Sequence, residues 1–150
     1  VEMISWNDAQ AYLQKLNALG QGSFRLPAEA EWEYAARAGS AARYPHGDDP
    51  GYRELRRYAW FNPESEGRSH PVGRKRPNPW GLYDMLGGVW EWVEDALGAY
   101  PQGPRDQSKR VIRGGSWFNE AEALRSANRN AHEPDSRQTN LGLRLVWEPR

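Results

Sequence analysis

The side chains able to do chemistry in this chain are few in kind. Its 150 residues include three histidines, His46, His70 and His132, and no cysteine. Without a thiol there is no disulfide, no thiolate metal site and no cysteine nucleophile, and either redox compartment tolerates that absence. No two histidines share the i, i+4 spacing of a helical ligand pair, and His70 precedes Pro71 in a turn-like stretch, so each reads as a loop residue. Spacing leaves open a cluster formed only in three dimensions. Ser116 is a lone hydroxyl that local hydrogen bonding would satisfy. The pairs Gly87-Gly88 and Gly114-Gly115 lie inside strand-like blocks, where close packing accounts for them better than a phosphate cradle.

Two patterns carry more. In DMLGGVWE, Asp84 and Glu91 bracket Gly87 and Val89. A tight loop of this kind can fold two carboxylates and two main-chain carbonyls around one hard cation. The same residues have a structural use, with Asp84 capping a turn and Glu91 pairing with a buried arginine such as Arg113 or Arg144, and both uses stay open. The other pattern is RVIRGGSWFNEAEALRSANRNAHEPDSRQTNLGLRLV, from Arg110 to Val146. Its ends read as buried strands, whereas Asn119, Asn128, Asn130, His132, Asp135, Ser136, Gln138, Thr139 and Asn140 make its middle too polar for a core element. A polar segment held between rigid strands is where recognition commonly sits.

The elements that must position these residues follow from periodicity. Ser5 and Asp8 form a capping-box pattern ahead of Trp6, Ala9, Leu13, Leu16 and Leu19, which predicts an amphipathic helix from Ser5 to Leu19. Ser23 to Leu26 is strand-like, and Pro27 introduces AEAEWEYAARAG, a second helix that Gly39 ends. From Ser40 to Pro79 long ordered loops are expected, anchored by large rings, with Trp60, Phe61, Trp80, Tyr83, Trp90 and Trp92 as the anchors. Val89 to Val93, Val111 to Arg113 and Leu143 to Trp147 are the later strands. A chain of this length reads as one domain burying about 70% of its unfolded surface. Twenty basic and twenty acidic side chains cancel, so no global field draws in nucleic acid or an anionic membrane. The apolar runs are too short to span a bilayer. No signal peptide opens the chain, which starts at Val1 rather than an initiator Met.

RLPAEAEWEYAARAG from Arg25, NPWGLYDMLGGVWEWVED from Asn78, RVIRGGSWF from Arg110 and LGLRLV from Leu141 together resemble the formylglycine-generating-enzyme, or sulfatase-modifying-factor, domain. The resemblance runs from Ser5 to Trp147 and implies an α+β, C-type-lectin-like fold: a small twisted antiparallel sheet, two helices and much loop. The segment that usually precedes the first helix is expected to be missing. In the family's oxidases two cysteines after the GGS block bind copper, and soft thiolates are what copper(I) requires. The matching positions here are Asn119 and Leu124, so no copper and no formylglycine generation are expected. Ser116 matches a serine that assists in the oxidases, and iron-binding relatives use histidines, often from an additional domain. The family places a calcium or sodium ion at the positions matching Asp84, Gly87, Val89 and Glu91. A second calcium site uses an asparagine where YAWF puts Trp60, which argues against that site.

Within this family the block from Arg110 is most similar to the variable proteins of diversity-generating retroelements, in which mutagenised asparagine codons build a ligand-binding face on an unchanged scaffold. The matching positions are Phe118, Asn119, Glu120, Glu122, Ser126, Asn128, Asn130, Ala131, His132, Asp135, Ser136, Gln138 and Thr139, and the implied partner is a protein. Glu120, Glu122 and Gln138 do not follow readily from an asparagine codon. The alternative is the polar loop of an accessory or metal-dependent oxidoreductase member. In either case Val111, Ile112, Leu143, Leu145 and Val146 should fix the frame, with Arg113, Arg125, Arg129 and Arg144 forking onto carboxylates such as Glu29, Glu31, Glu33 or Glu91.

Overall fold

Helix α1, Trp6–Ala18, begins as the sequence predicts: Ser5 Oγ accepts from Asp8 N at 3.0 Å and Asp8 returns a carboxylate oxygen to Ser5 N at 3.0 Å. The computed structural model describes residues 1–99 and 105–149. The buried face of α1, Ala9 and Leu13, rests with Leu26 on Trp90, Trp92, Ile112 and Leu141. Two indoles tie this layer down, Trp6 Nε1 donating to Val93 O and Trp92 Nε1 to Ile4 O. Strand β1, Ser23–Arg25, leads to helix α2, Glu29–Arg37, which packs Trp32 and Ala36 on Met85, Val93 and Val111. The left-handed turn that ends α2 starts at Ala38, φ 47°, one residue before the expected Gly39.

Strands β2, Trp90–Gly98, β3, Arg105–Arg113, β4, Arg129–His132, and β5, Leu141–Leu143, form one sheet in the order β4-β3-β2-β5. β2 and β3 are antiparallel, as are β3 and β4, but β5 runs parallel to β2, so the sheet is mixed rather than purely antiparallel. β6, Val146–Glu148, pairs with β1 in a separate two-stranded ribbon. The expected strand Leu143 to Trp147 is therefore two, because its halves pair with different partners and the chain turns between them. β2 and β3 also extend well beyond the apolar cores seen in the sequence. β4 lies inside the segment expected to be loop: an edge strand is paired on one side only, so RNAH needs no apolar run.

Phe61, Trp90 and Trp92 are buried anchors, but Trp80 and Tyr83 are 47% and 45% exposed, which corrects their expected role. Trp60 is half-buried, as are Leu143, Leu145 and Val146. A third apolar cluster, Tyr44, Leu55, Ala59, Phe61, Leu86, Ala121 and Leu124, sits under the loops. On its margin His46 stacks between Tyr44 and Tyr58, with ring centroids 5.4 and 4.6 Å away, and lies 3.5 Å from Asp49. Burial pushes this imidazole below the ordinary histidine value, against the opposing pull of Asp49. The folded protein thus holds His46 neutral, while the unfolded chain protonates it near about pH 6.5. Its contribution to stability is complete above that pH and is lost as pH falls toward the depressed folded value. Melting temperature is expected to drop between neutral pH and pH about 5, and His46→Phe should flatten that slope. An unchanged slope would place the acid sensitivity elsewhere.

Candidate functional site

Asp84, Gly87, Val89 and Glu91 all line one open cleft of about 850 Å³, together with Trp60, His70, Tyr83 and Arg144. Glu91 is buried at its floor. Glu91 Oε2 accepts from Trp32 Nε1 at 2.7 Å and Arg144 Nε at 3.0 Å, while Oε1 accepts from an Arg144 terminal nitrogen at 2.9 Å. That arginine also donates to Tyr83 O. Asp84, at φ 57°, accepts from Gly73 N at 2.7 Å. Glu91 is thus paired with an arginine, and its charge is balanced by Arg144. A cation bound here would draw net charge from Asp84 and otherwise rely on main-chain carbonyls, the weakly charged kind of oxygen cage that calcium or sodium tolerates.

The histidines do not converge. His46 lies in the loop cluster, His70 stacks on Trp60 at 3.8 Å and donates Nε2–H to Ser65 O, and His132 meets Gln138. Among the described residues no group of three or more His, Cys, Asp or Glu side chains is placed to hold an ion.

The two positions that match the copper cysteines are committed to structure. Leu124 is fully buried in the loop cluster. Asn119 Oδ1 accepts from Ser116 N at 3.0 Å and from Ser116 Oγ at 2.7 Å, and Ser116 Oγ accepts in turn from Asn140 Nδ2 at 3.1 Å. Ser116 is wholly buried, and with Phe118 N at 3.4 Å as a second donor to its oxygen, its one proton and both lone pairs are engaged.

The thirteen candidate recognition residues are spread along the segment. Phe118, Glu120, Glu122, Asn130, Asp135 and Thr139 are exposed, and Asn119, Asn128, Ala131, His132, Ser136 and Gln138 are half-buried. Ser126 is fully buried, its main chain bonded to Arg43 O and Arg113, so it cannot face a ligand. Alternation along β4 separates Ala131 from Asn130 and His132. Ala131 shares its side with Arg129, which forks onto Glu29, and is turned toward α2.

Several neighbours hold the segment. Asn62 N donates to Asn119 O and Asn62 Nδ2 to Glu120 at 2.5 Å, Tyr52 Oη donates to Glu122 at 2.6 Å, and Asn7 Nδ2 donates to Asp135 at 2.5 Å. Trp117, half-buried, meets Phe118 edge-on at 5.9 Å and donates to Thr139 O. Nothing local marks Asn62 or Tyr52, whose contacts span 58 and 70 residues. The buried Tyr44 Oη donates to Ala121 O at 2.8 Å, and Tyr44→Phe is expected to cost about 1–2 kcal/mol by leaving that carbonyl unpaired. Urea denaturation checks this, and a cost near zero would mean that water replaces the phenol.

The family model of the sulfatase-modifying factor enzyme 1-like domain matches residues 1–149. The chain is 39% identical over 165 positions to the formylglycine-generating enzyme of Streptomyces coelicolor, covering 95% of this chain and 51% of that protein. It is 36% identical over 158 positions to the inactive C-alpha-formylglycine-generating enzyme 2 of Bos taurus, covering 95% and 48%. It thus spans about half the length of these relatives. Treponema denticola variable protein 1, a solved structure, matches with a TM-score of 0.89 at 30% identity, over 99% of this chain and 71% of that one. With this match from end to end and the α+β, C-type-lectin-like architecture it entails, the chain belongs to the sulfatase-modifying factor enzyme 1-like domain family.

Proposed function

We propose that the chain is a non-catalytic ligand-binding domain, of the kind found in the variable proteins of diversity-generating retroelements, which recognises a protein through side chains between Phe118 and Thr139. The observation that carries this reading is the state of the segment itself. Its main chain is fixed from both sides while Phe118, Glu120, Glu122, Asn130, Asp135 and Thr139 project outward. Exposed positions on such a frame change with effects mostly within about 0.5 kcal/mol, so recognition can vary without unfolding the scaffold. The occupation of the oxidase positions by Asn119 and buried Leu124 supports the same reading.

Incubated aerobically with copper and a cysteine-containing peptide, the protein is expected to form no aldehyde. Turnover above a metal-free control would restore a catalytic role. The genomic neighbourhood tests the display role: a reverse transcriptase gene and an asparagine-rich near-repeat of the Arg110 to Val146 coding segment should lie close by. Their absence would favour the second reading, an accessory or oxidoreductase member, which the identity to formylglycine-generating enzymes supports. A structural calcium or sodium ion at Asp84, Gly87, Val89 and Glu91 belongs to either reading. Calcium bound there would raise the melting temperature relative to chelated protein.

A further inference from the structure

His46 sits in a slot that suits only its neutral form. Its ring lies flat between Tyr44 and Tyr58, at interplanar angles of 6° and 4°, and neither ring nitrogen has a hydrogen-bond partner among the described residues. The nearest counter-charge, Asp49, is already committed. Its Oδ2 accepts from Glu54 N and Leu55 N and its Oδ1 from Arg53 N, bonds that lead into the 3₁₀ turn at Leu55. A proton on His46 would therefore stay without an acceptor or would draw Asp49 away from that turn. Either way the residues around Leu55, a buried member of the loop cluster, lose support.

The same loop holds the recognition segment. Tyr44 Oη donates to Ala121 O at 2.8 Å, Arg43 O accepts from Ser126 N at 3.0 Å, and Tyr52, edge-on to Tyr44, donates to Glu122. The charged groups around the slot are Asp49 and Glu54 on its own loop, Arg43 beside Tyr44, and Glu122 and Arg125 across Tyr44. Despite burial, main-chain donors hold Asp49 below the ordinary carboxylate range, and the Tyr52 phenol does the same for Glu122. Burial pushes Tyr44 up to about 12 and pushes His46 down, against the pull of Asp49 and Glu54. A loosened loop returns His46 to its ordinary value of about 6.5, so loosening becomes easier as pH falls through that value.

Resting on the binding role proposed for the segment, we infer that His46 is an acid switch for it: protonation of this ring loosens residues 43–58 and with them residues 121–126, so the recognition side chains lose their fixed positions while the four-stranded sheet stays folded. Hydrogen exchange on the full chain, read by mass spectrometry at about pH 7.5 and about pH 5.5 and corrected for the intrinsic pH dependence of exchange, tests this. Protection should fall several-fold in residues 43–58 and 121–126, and much less in α1, β2 and β3. His46→Phe keeps a stacking ring and His46→Gln a neutral polar side chain. Neither titrates, and in both the fall should vanish. His132, the other histidine pushed down by burial, has Lys109, Glu133 and Gln138 around it, and His132→Gln should leave the fall in place. An equal fall along the whole chain, a fall that persists in either folded His46 variant, one that vanishes in His132→Gln, or no fall at all overturns the switch. The readout needs no ligand, so such a result leaves the binding role to its own genomic test.

Discussion

An Arg113→Met protein is expected to be less stable than the parent by about 3–5 kcal/mol, the usual cost of removing one partner from a buried ion pair. Arg113 is wholly buried, a charge taken entirely out of water. Its guanidinium donates to Glu29 Oε1 at 3.0 Å, to Glu33, and to Ser126 O at 2.8 Å, over the face of Trp32. One side chain therefore joins α2, β3 and, at Ser126, the middle of the segment between Phe118 and Thr139. Without it, Glu29 Oε1 keeps Arg129 Nε, but the Glu33 oxygen opposite the one that holds Arg37 and the carbonyl of Ser126 lose the donor that faced them. Methionine fills much of the space and supplies no proton. Guanidinium denaturation at neutral pH gives the number, and Glu33→Gln in the Arg113→Met background should recover part of it. A loss below about 1 kcal/mol would mean the network contributes no more than a surface pair does.

Gly87→Ala is expected to cost about 3 kcal/mol, lowering the melting temperature by roughly 10 °C. Gly87 sits at φ 71°, and a Cβ there would clash with Trp60 O and lie 3.1 Å from Leu124 Cδ2. The main-chain oxygen cannot step aside, since it accepts from Gly88 N at 2.8 Å in the bridge that joins Trp60 to this loop. Gly88 provides the comparison. It has nearly the same φ, 72°, but open space around its Cβ direction, so Gly88→Ala should cost only the backbone penalty of about 1–2 kcal/mol. Equal losses for the two variants would show that the contact with Trp60 relaxes freely.

The parts of the fold legible in the sequence are those that a short stretch specifies alone. Ser5 and Asp8 announce the start of α1, and Pro27 with the Ala and Glu content after it announces α2. Acid and arginine types foretold the pairs of Arg113, Arg129 and Arg144, although not that Arg113 would take Glu29 and Glu33 while Arg144 took Glu91, and Arg125, expected on a carboxylate, donates instead to the main-chain oxygen of Glu122. Polar strands were hidden because pairing, unlike burial, leaves no composition signal: the outer halves of β2 and β3 and all of β4 are held by backbone bonds. The candidate recognition set was legible as a segment but not as a surface. Ser126 looks as polar as its neighbours, yet its burial depends on Arg43 and Arg113 folding over it. Ala131 could be told from Asn130 only once β4 was known to be a strand.

The loop cluster has no α-helical or β-strand residue among its buried members, and none of them belongs to the clusters beneath α1 and α2. It can therefore open as a cooperative unit of its own, with a free energy below that of global unfolding. Ala121 and Leu124 belong to it, so such an opening would release Glu120 and Glu122 while the sheet stays intact. Affinity for any ligand gripped there is scaled by the closed fraction, and a substitution deep in Tyr44 or Phe61 would tune binding without touching the ligand.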